Sequence, residues 1–177
     1  MKKVPKKNYI TVLLISVLTF VIVGYFAFWY TETKEYDDSN SIMDGYLLEI
    51  GENEIIVNLS NYIIDNPNTV LYVSYGNDSH IKNFEKEFKK YINDNNIKHS
   101  FVYVDLNRLD DNNFINEFKD NFFSNELKNK NFKLEKQSNL FVFKAGKIKS
   151  ILYYSKQPIN MVDVNVYLEN EGIIDYD

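Results

Sequence analysis

The chain has 177 residues and contains no cysteine, which excludes several kinds of chemistry at once. Disulfides, iron–sulfur clusters, zinc sites built from thiolates and cysteine nucleophiles all require that side chain. The sequence has only 3 prolines and 6 glycines, too few for a collagen-like chain or a flexible linker protein. The net charge is −5, so the composition argues against a nucleic-acid-binding protein.

Apolar and aromatic residues are abundant, since 45% of the chain is hydrophobic and 16% is aromatic. This composition is sufficient for a packed core, which a disordered chain lacks. The charge is uneven. Residues 1–30 contain four lysines and no acid, so residues 31–177 hold 16 bases and all 25 acids, a formal charge of −9.

Residues 10–30 form a largely apolar run of 21 residues without a charged side chain. As a helix this run spans about 31 Å, enough to cross a bilayer core of about 30 Å. Lysines precede the run and acidic residues follow it, so the positive-inside rule places the amino terminus in the cytoplasm. We therefore expect a basic cytoplasmic tail (1–9), a transmembrane anchor in contact with lipid (10–30), a polar tether (31–45) and an extracytoplasmic domain (46–177).

Two other interpretations of this run fit the sequence less well. A cleaved signal peptide has a shorter apolar region that ends in small residues, whereas this run ends in Phe26, Phe28, Trp29 and Tyr30. A buried core helix of this length normally keeps a polar face, which the run does not have.

The rest of the chain alternates strand and helix signals. Asp78 or Ser79 is expected to cap a helix whose apolar face includes Phe84 and Phe88, with Glu85 and Lys89 as an ion pair on its exposed face. Pro158 is expected to open the last helix, which presents Met161, Val162, Asn165 and Leu168. The other expected helices cover residues 60–64 and 114–127, and the expected strands cover residues 46–50, 54–57, 69–75, 100–106, 140–144 and 148–154. This order predicts an α/β fold, a mixed sheet with helices on both faces.

The blocks EIIVNLSNYI, TVLYVSYGNDSHIKNFEKEFKKYI, SFVYVDL and SNLFVFKAGKI resemble the thioredoxin superfamily, in particular its membrane-tethered, bacteriocin-transport-accessory-like branch. The resemblance covers residues 54–170 and, with the abundance of Asn, Lys and Ile, indicates a bacterial protein. It implies a thioredoxin-like mixed sheet with flanking helices, preceded here by one transmembrane helix.

The sequence departs from that family at its three catalytic features. The redox motif C-x-x-C falls on GNDSHIKN, residues 76–83, which has no cysteine. The cis-proline falls near Ser138, and the buried acid of the central strand falls near Ser74. Dithiol exchange requires a thiolate, so thiol–disulfide chemistry is excluded, and we expect a protein that is not an enzyme.

The resemblance also implies a shallow groove that holds extended peptide by backbone hydrogen bonds, a form of strand addition. We expect this partner-binding groove to be lined by two segments, Gly76, Asn77, Asp78, Ser79 and His80 in the first and Gln137, Ser138 and Asn139 in the second.

Other candidate sites have ordinary structural explanations. His80 stands where the first cysteine of the family would be, but its only possible histidine companion, His99, lies at the far end of the same helix. The series Asp105, Asn107, Asp110 and Asp111 lacks the glycine and closing glutamate of an EF-hand, so a strand end and helix cap explain it better. Two acidic pairs are expected to be solvated, Asp37 with Asp38 and Asp175 with Asp177. The aromatic stripe of Phe114, Phe118 and Phe122 is expected to pack in the core.

The expected function is therefore that of a redox-inactive, membrane-anchored accessory module. It would bind an unidentified protein or peptide at the outer face of the membrane, with no cofactor or metal and no nucleic acid. Two alternatives remain open: a structural subunit that acts through its transmembrane helix, and an enzyme that uses His80.

Overall fold

The computed structural model describes residues 6–51, 54–76, 78–109, 111–128, 138–153 and 158–174. The chain divides into two compact units, Met1–Ser39 and Asn40–Asp177.

The first unit is the long helix α1, Lys6–Ser39. Its segment Tyr9–Lys34 is long and apolar enough to cross a membrane, and none of it is buried within the protein. Thr19, Thr31 and Thr33 each donate a hydroxyl hydrogen bond to the carbonyl four residues earlier. These bonds satisfy the hydroxyl protons without water, as an apolar surrounding requires.

The second unit contains five strands and five α-helices among the residues that the structure describes. In chain order the elements are β1 (Leu48–Glu49), α2 (Ile55–Asp65), β2 (Val70–Ser74), α3 (Ser79–Asp94), β3 (Phe101–Asp105), α4 (Asp111–Phe122), α5 (Asn125–Lys128), β4 (Asn139–Lys144), β5 (Lys147–Leu152) and α6 (Met161–Asn170).

The strands form one mixed sheet in the order β1-β3-β2-β4-β5. Strands β1, β3 and β2 are parallel, whereas β4 is antiparallel to β2 and β5 is antiparallel to β4. Tyr72 lies opposite Tyr103 and Val73 lies opposite Asn139. The start of β4 therefore meets the carboxyl end of β2.

The sheet is covered on both faces, which explains why β2 and β3 are buried at every position. Alternate residues of β2 face opposite sides: Leu71 and Val73 lie in the same apolar cluster as α2 and α4. Val70 and Tyr72 lie in a second cluster with α3 and α6. The predicted mixed α/β sheet with flanking helices is confirmed at this level.

Residues 55–57 lie in helix α2, so the strand predicted over residues 54–57 is wrong. Ile55, Ile56, Leu59 and Ile63 are all buried, and their spacing matches one face of a helix rather than alternation along a strand. The helix expected over residues 60–64 begins five residues earlier, so Ser60 lies within α2, where its hydroxyl donates to the Ile56 carbonyl. The strand predicted over residues 46–50 is reduced to Leu48–Glu49.

Helix α6 begins at Met161, later than Pro158 was expected to open it. Asn160 caps the helix, since its side chain accepts from the backbone amides of Val162 and Asp163 while Asp163 accepts from the Asn160 amide. The buried face is formed by Val164 and Leu168, whereas Val162 is exposed. Of the residues that the helix was expected to present together, Leu168 and Val162 therefore lie on different faces.

Residues 31–45, expected as a tether, are divided between the two units. Helix α1 runs through Ser39, and the second unit begins at Asn40. Ser41 and Met43 are buried within that unit, and Met43 belongs to the apolar cluster of α3 and α6. The packed domain thus includes residues that precede the predicted start at residue 46.

Candidate functional site

A small pocket of about 60 Å³ lies at the start of α3, beside the entry to β4. It brings together His80 and Ser138, one residue from each of the two segments expected to line a groove. Between them the pocket is apolar, and its other lining residues are Ile81, Phe84, Pro158 and Ile159.

The other residues of those segments lie elsewhere. Gly76 is buried against Ser41, and a Cβ atom at position 76 would overlap the Ser41 side chain. Asn139 is fully buried as the first residue of β4. Asp78 and Ser79 are exposed at the start of α3 and do not line the pocket. Asn77 and Gln137 lie outside the described residues.

Glu85 is fully buried in the middle of α3, which contradicts the expected ion pair with Lys89 on an exposed face. One carboxylate oxygen accepts from the Ser41 hydroxyl at 2.8 Å and from the Ile42 backbone amide at 2.9 Å. The other accepts from the Ser74 hydroxyl at 2.8 Å and from the Tyr72 hydroxyl at 3.1 Å. Four donors therefore replace the water that the carboxylate loses on burial.

The hydrogen-bond network continues beyond this carboxylate in two directions. The Tyr72 hydroxyl lies 2.9 Å from the Ser138 hydroxyl, and the Ser74 hydroxyl lies 3.3 Å from the Tyr103 hydroxyl. Since Ser138 lines the pocket, a continuous chain of hydrogen bonds connects the pocket to Ser41 and Ile42 through Tyr72 and Glu85.

Burial governs the acid–base properties of this network. It raises the pKa of the Glu85 carboxyl, and hydrogen bonds led by those of Ser74 and Ser41 oppose part of that rise. Burial also raises the pKa of the Tyr72 hydroxyl, and the nearby Glu85 carboxylate raises it further. Tyr72 is therefore a hydrogen-bond donor and not a source of negative charge.

A second polar cluster, centred on Arg108, lies where β1 and β3 end. The guanidinium contacts Asp44 at 2.6 Å, Glu49 at 3.0 Å and Asp105 at 3.8 Å. Burial raises the pKa of the Asp105 carboxyl, while the amide of Asn107 and the charge of Arg108 counteract this. Through these ion pairs, Arg108 connects the segment that contains Asp44 to the carboxyl ends of the parallel strands β1 and β3.

Within the series from Asp105 to Asp111, Asp105 and Asn107 form local structure. Asp105 accepts from the backbone and side-chain amides of Asn107. Asp105 thereby caps the short 3₁₀ turn Leu106–Arg108. Asp110 and the side chain of Asp111 lie outside the described residues. Among the described residues, no group of three or more histidine or acidic side chains is arranged to hold a metal ion.

The two histidines line different pockets. His80 is exposed, and the neighbouring Asp78 carboxylate accepts from the backbone amides of His80 and Ile81 as the cap of α3. His99 lines an open depression of about 420 Å³ together with Leu48, Tyr62, Asn96, Lys98 and Phe101.

The aromatic stripe of α4 belongs to the core. Phe114 and Phe118 are buried, and the Phe118 ring lies 5.0 Å from that of Phe141 in an edge-to-face arrangement. The side chains of Asp37 and Asp38, and the residues Asp175 and Asp177, lie outside the described part of the chain.

Sequence reasoning missed Glu85 as the centre of the polar network, although a signal was present. Ile81, Glu85, Phe88 and Ile92 are separated by four, three and four residues, which is the spacing of one helix face. Its three apolar members are buried, so a glutamate in the same line is expected to be buried too. The expectation of an ion pair between Glu85 and Lys89 considered only their spacing of four residues, and not that Glu85 lies on the apolar face of the helix.

The chain matches no protein-family model and no curated protein sequence. The class that the structure defines is a cysteine-free mixed α/β protein with one apolar helix near its amino terminus that is long enough to cross a membrane.

Proposed function

We propose that this protein is a membrane-anchored, redox-inactive thioredoxin-like accessory module. Its domain binds a protein or peptide partner at the outer face of the membrane. The observation that carries the proposal is the pocket at the start of α3, which is lined by both His80 and Ser138.

The thioredoxin-like part of the proposal is supported by the order of the elements. The central strand β2 is followed directly by a long helix, and a hairpin and a last helix complete the domain. The family's redox centre belongs at the start of that helix, where the structure has an exposed cap, Asp78, and no thiol. The proposed role is therefore binding without electron transfer.

The character of the pocket supports a peptide ligand. Four of its six lining residues are apolar and two, His80 and Ser138, are polar, and ligand sites commonly combine apolar walls with a few polar groups. The volume of about 60 Å³ suits one short side chain rather than a cofactor. The size and lining of the pocket thus favour a peptide segment of another protein over a cofactor-sized ligand.

The proposal is tested by photocrosslinking in cells from a photoreactive amino acid at position 80. His80 is exposed and lines the pocket, so the substitution leaves the buried network intact. We expect one discrete protein adduct. The control is position 86 on the same helix, where Lys86 is exposed but lies outside the pocket, and no adduct is expected there. Equal adducts at both positions, or none at position 80, would contradict a pocket that binds a partner.

A second arm separates this function from that of a subunit acting through its membrane helix. Residues 10–30 are exchanged for an unrelated apolar sequence of the same length. The crosslinked adduct at position 80 is expected to persist, because the domain and not the helix makes the contact. Loss of that adduct, with the altered protein still in the membrane, would favour the helix as the binding element.

A further inference from the structure

The directions of the hydrogen bonds around Glu85 can be assigned from the chemistry of its partners. A carboxylate has no proton and can only accept, so Ser41, Ser74 and Tyr72 all donate to it. A hydroxyl carries a single proton. Tyr72 therefore accepts from Ser138, and Ser74 accepts from Tyr103.

This assignment determines what Ser138 presents to the pocket. Its one hydroxyl proton is used toward Tyr72, at a distance of 2.9 Å. Only the lone pairs of the oxygen remain for a ligand. A chain of hydrogen bonds that all point toward one charge is also polarised by it, which holds each proton in place.

We propose that the pocket recognises a peptide N–H group next to a short apolar side chain, with the Ser138 hydroxyl as the acceptor. Glu85 sets this preference from inside the fold through Tyr72, without touching the ligand. The inference rests on the proposed function and names the chemistry of the partner at that site. Ile81, Phe84 and Ile159 would contact the apolar side chain.

The preference is tested with two neutral five-membered rings in place of the ligand. Pyrrole carries an N–H donor and has no acceptor lone pair, whereas tetrahydrofuran is an acceptor alone. Each is titrated into the full-length protein in detergent micelles, and binding is followed by the NMR shifts of the Ile81 and Ile159 amides. A net hydrogen bond corresponds to a preference of about 2- to 10-fold in affinity. We expect pyrrole to bind more tightly within that range.

Two substitutions are expected to change the ratio of the two affinities. In Glu85→Gln the amide oxygen must face the Ile42 N–H, so the NH₂ group donates toward Tyr72 and Ser74. The Tyr72 proton then turns to Ser138, whose own proton is free for the pocket. Tyr72→Phe releases the Ser138 proton more directly. In both variants we expect the ratio to move toward tetrahydrofuran by about 3-fold or more.

The matched control is Tyr91→Phe, which removes a tyrosine hydroxyl from α3, the helix that carries Glu85. That hydroxyl donates to Asn165 at 2.7 Å and is separate from the chain of bonds to Ser138. The control should keep the preference for pyrrole. A wild-type protein that binds both rings equally, or neither, would overturn the proposal, as would an unchanged ratio in a folded Tyr72→Phe variant. The crosslink from position 80 decides the proposed function separately.

Discussion

At the scale of single residues, Glu85 is the most consequential side chain in the domain. A fully buried carboxylate is costly to desolvate, and its four donors come from two separate parts of the chain. Ser41 and Ile42 precede the sheet, Tyr72 and Ser74 lie in β2, and Glu85 itself lies in α3. One charge therefore ties the beginning of the domain to its centre.

The ionisation of Glu85 should make stability depend on pH in a defined direction. Burial raises its pKa above the ordinary value of 4.5, so the folded state binds the proton more tightly than the unfolded state. The stabilisation from the protonated form is complete below the ordinary pKa and is lost as pH rises through the raised value. We expect the stability of Glu85→Gln relative to wild type to increase between pH 4 and pH 7.

The measurement is chemical unfolding of the full-length protein in detergent at several pH values. Glu87→Gln serves as the control, because Glu87 is exposed on the same helix. Its difference from wild type should stay constant over this range. A constant difference for Glu85→Gln as well would show that ionisation at position 85 is not linked to folding.

At the scale of elements, residues 41–43 pack against α3 and against the residues that follow β2. Gly76 follows β2 at a point where the backbone of Ser41 comes too close for any side chain. Met43 fills the apolar cluster of α3 and α6, and the Arg108 cluster holds Asp44 nearby. The close approach at Gly76 thus lets a short segment close one edge of the core.

Gly76→Ala is expected to weaken this closure. The added methyl group would overlap Ser41, so the segment must shift away from Glu85 at a cost of about 1–3 kcal/mol. Thermal unfolding and proteolysis near residue 42 would both report the change. Gly51→Ala is the matched control, since nothing lies within 4 Å of a Cβ atom there and we expect little effect. Equal stability of the two variants would contradict the close packing of residue 76.

Local patterns predict elements well here where one physical signal dominates. Residues 69–75 are rich in β-branched and aromatic side chains, and they contain strand β2. The strands expected over residues 140–144 and 148–154 match β4 and β5, which Ala145 and Gly146 connect. Residues 54–57 were misjudged because a short apolar run suits a strand or a helix equally. The helix spacing indicates that Glu85 is buried, but its hydrogen bond from Ser41 joins residues 44 apart, so no local pattern predicts that donor.

At the scale of the whole molecule, the two compact units differ in the exposure of their apolar side chains. The apolar side chains of α1 are exposed within the protein, whereas those of the domain are buried in two clusters around the sheet. A bilayer core would cover an exposed apolar surface of this size, as the proposed anchoring requires. If the helix crosses a membrane, the four lysines before the apolar segment Tyr9–Lys34 favour an orientation with the domain outside.

The orientation can be measured directly because the chain has no cysteine of its own. A single cysteine at position 86, replacing the exposed Lys86, should react with a membrane-impermeant maleimide in intact cells. A single cysteine at position 3 should react only after the cells are permeabilised. The reverse pattern would place the domain in the cytoplasm, and the proposed site of action would then be wrong.

The anchoring of Ser41 and Ile42 to Glu85 also bears on the fate of the protein after cleavage. A protease that cut within residues 43–45 would release the sheet and its helices without the two residues that hold one oxygen of the buried carboxylate. The shed fragment would contain a charge with half of its donors missing, and Met43 could leave the core with the severed end. Such a fragment should unfold more readily than the intact chain, so under the proposed anchoring cleavage at this point would inactivate the domain as well as release it.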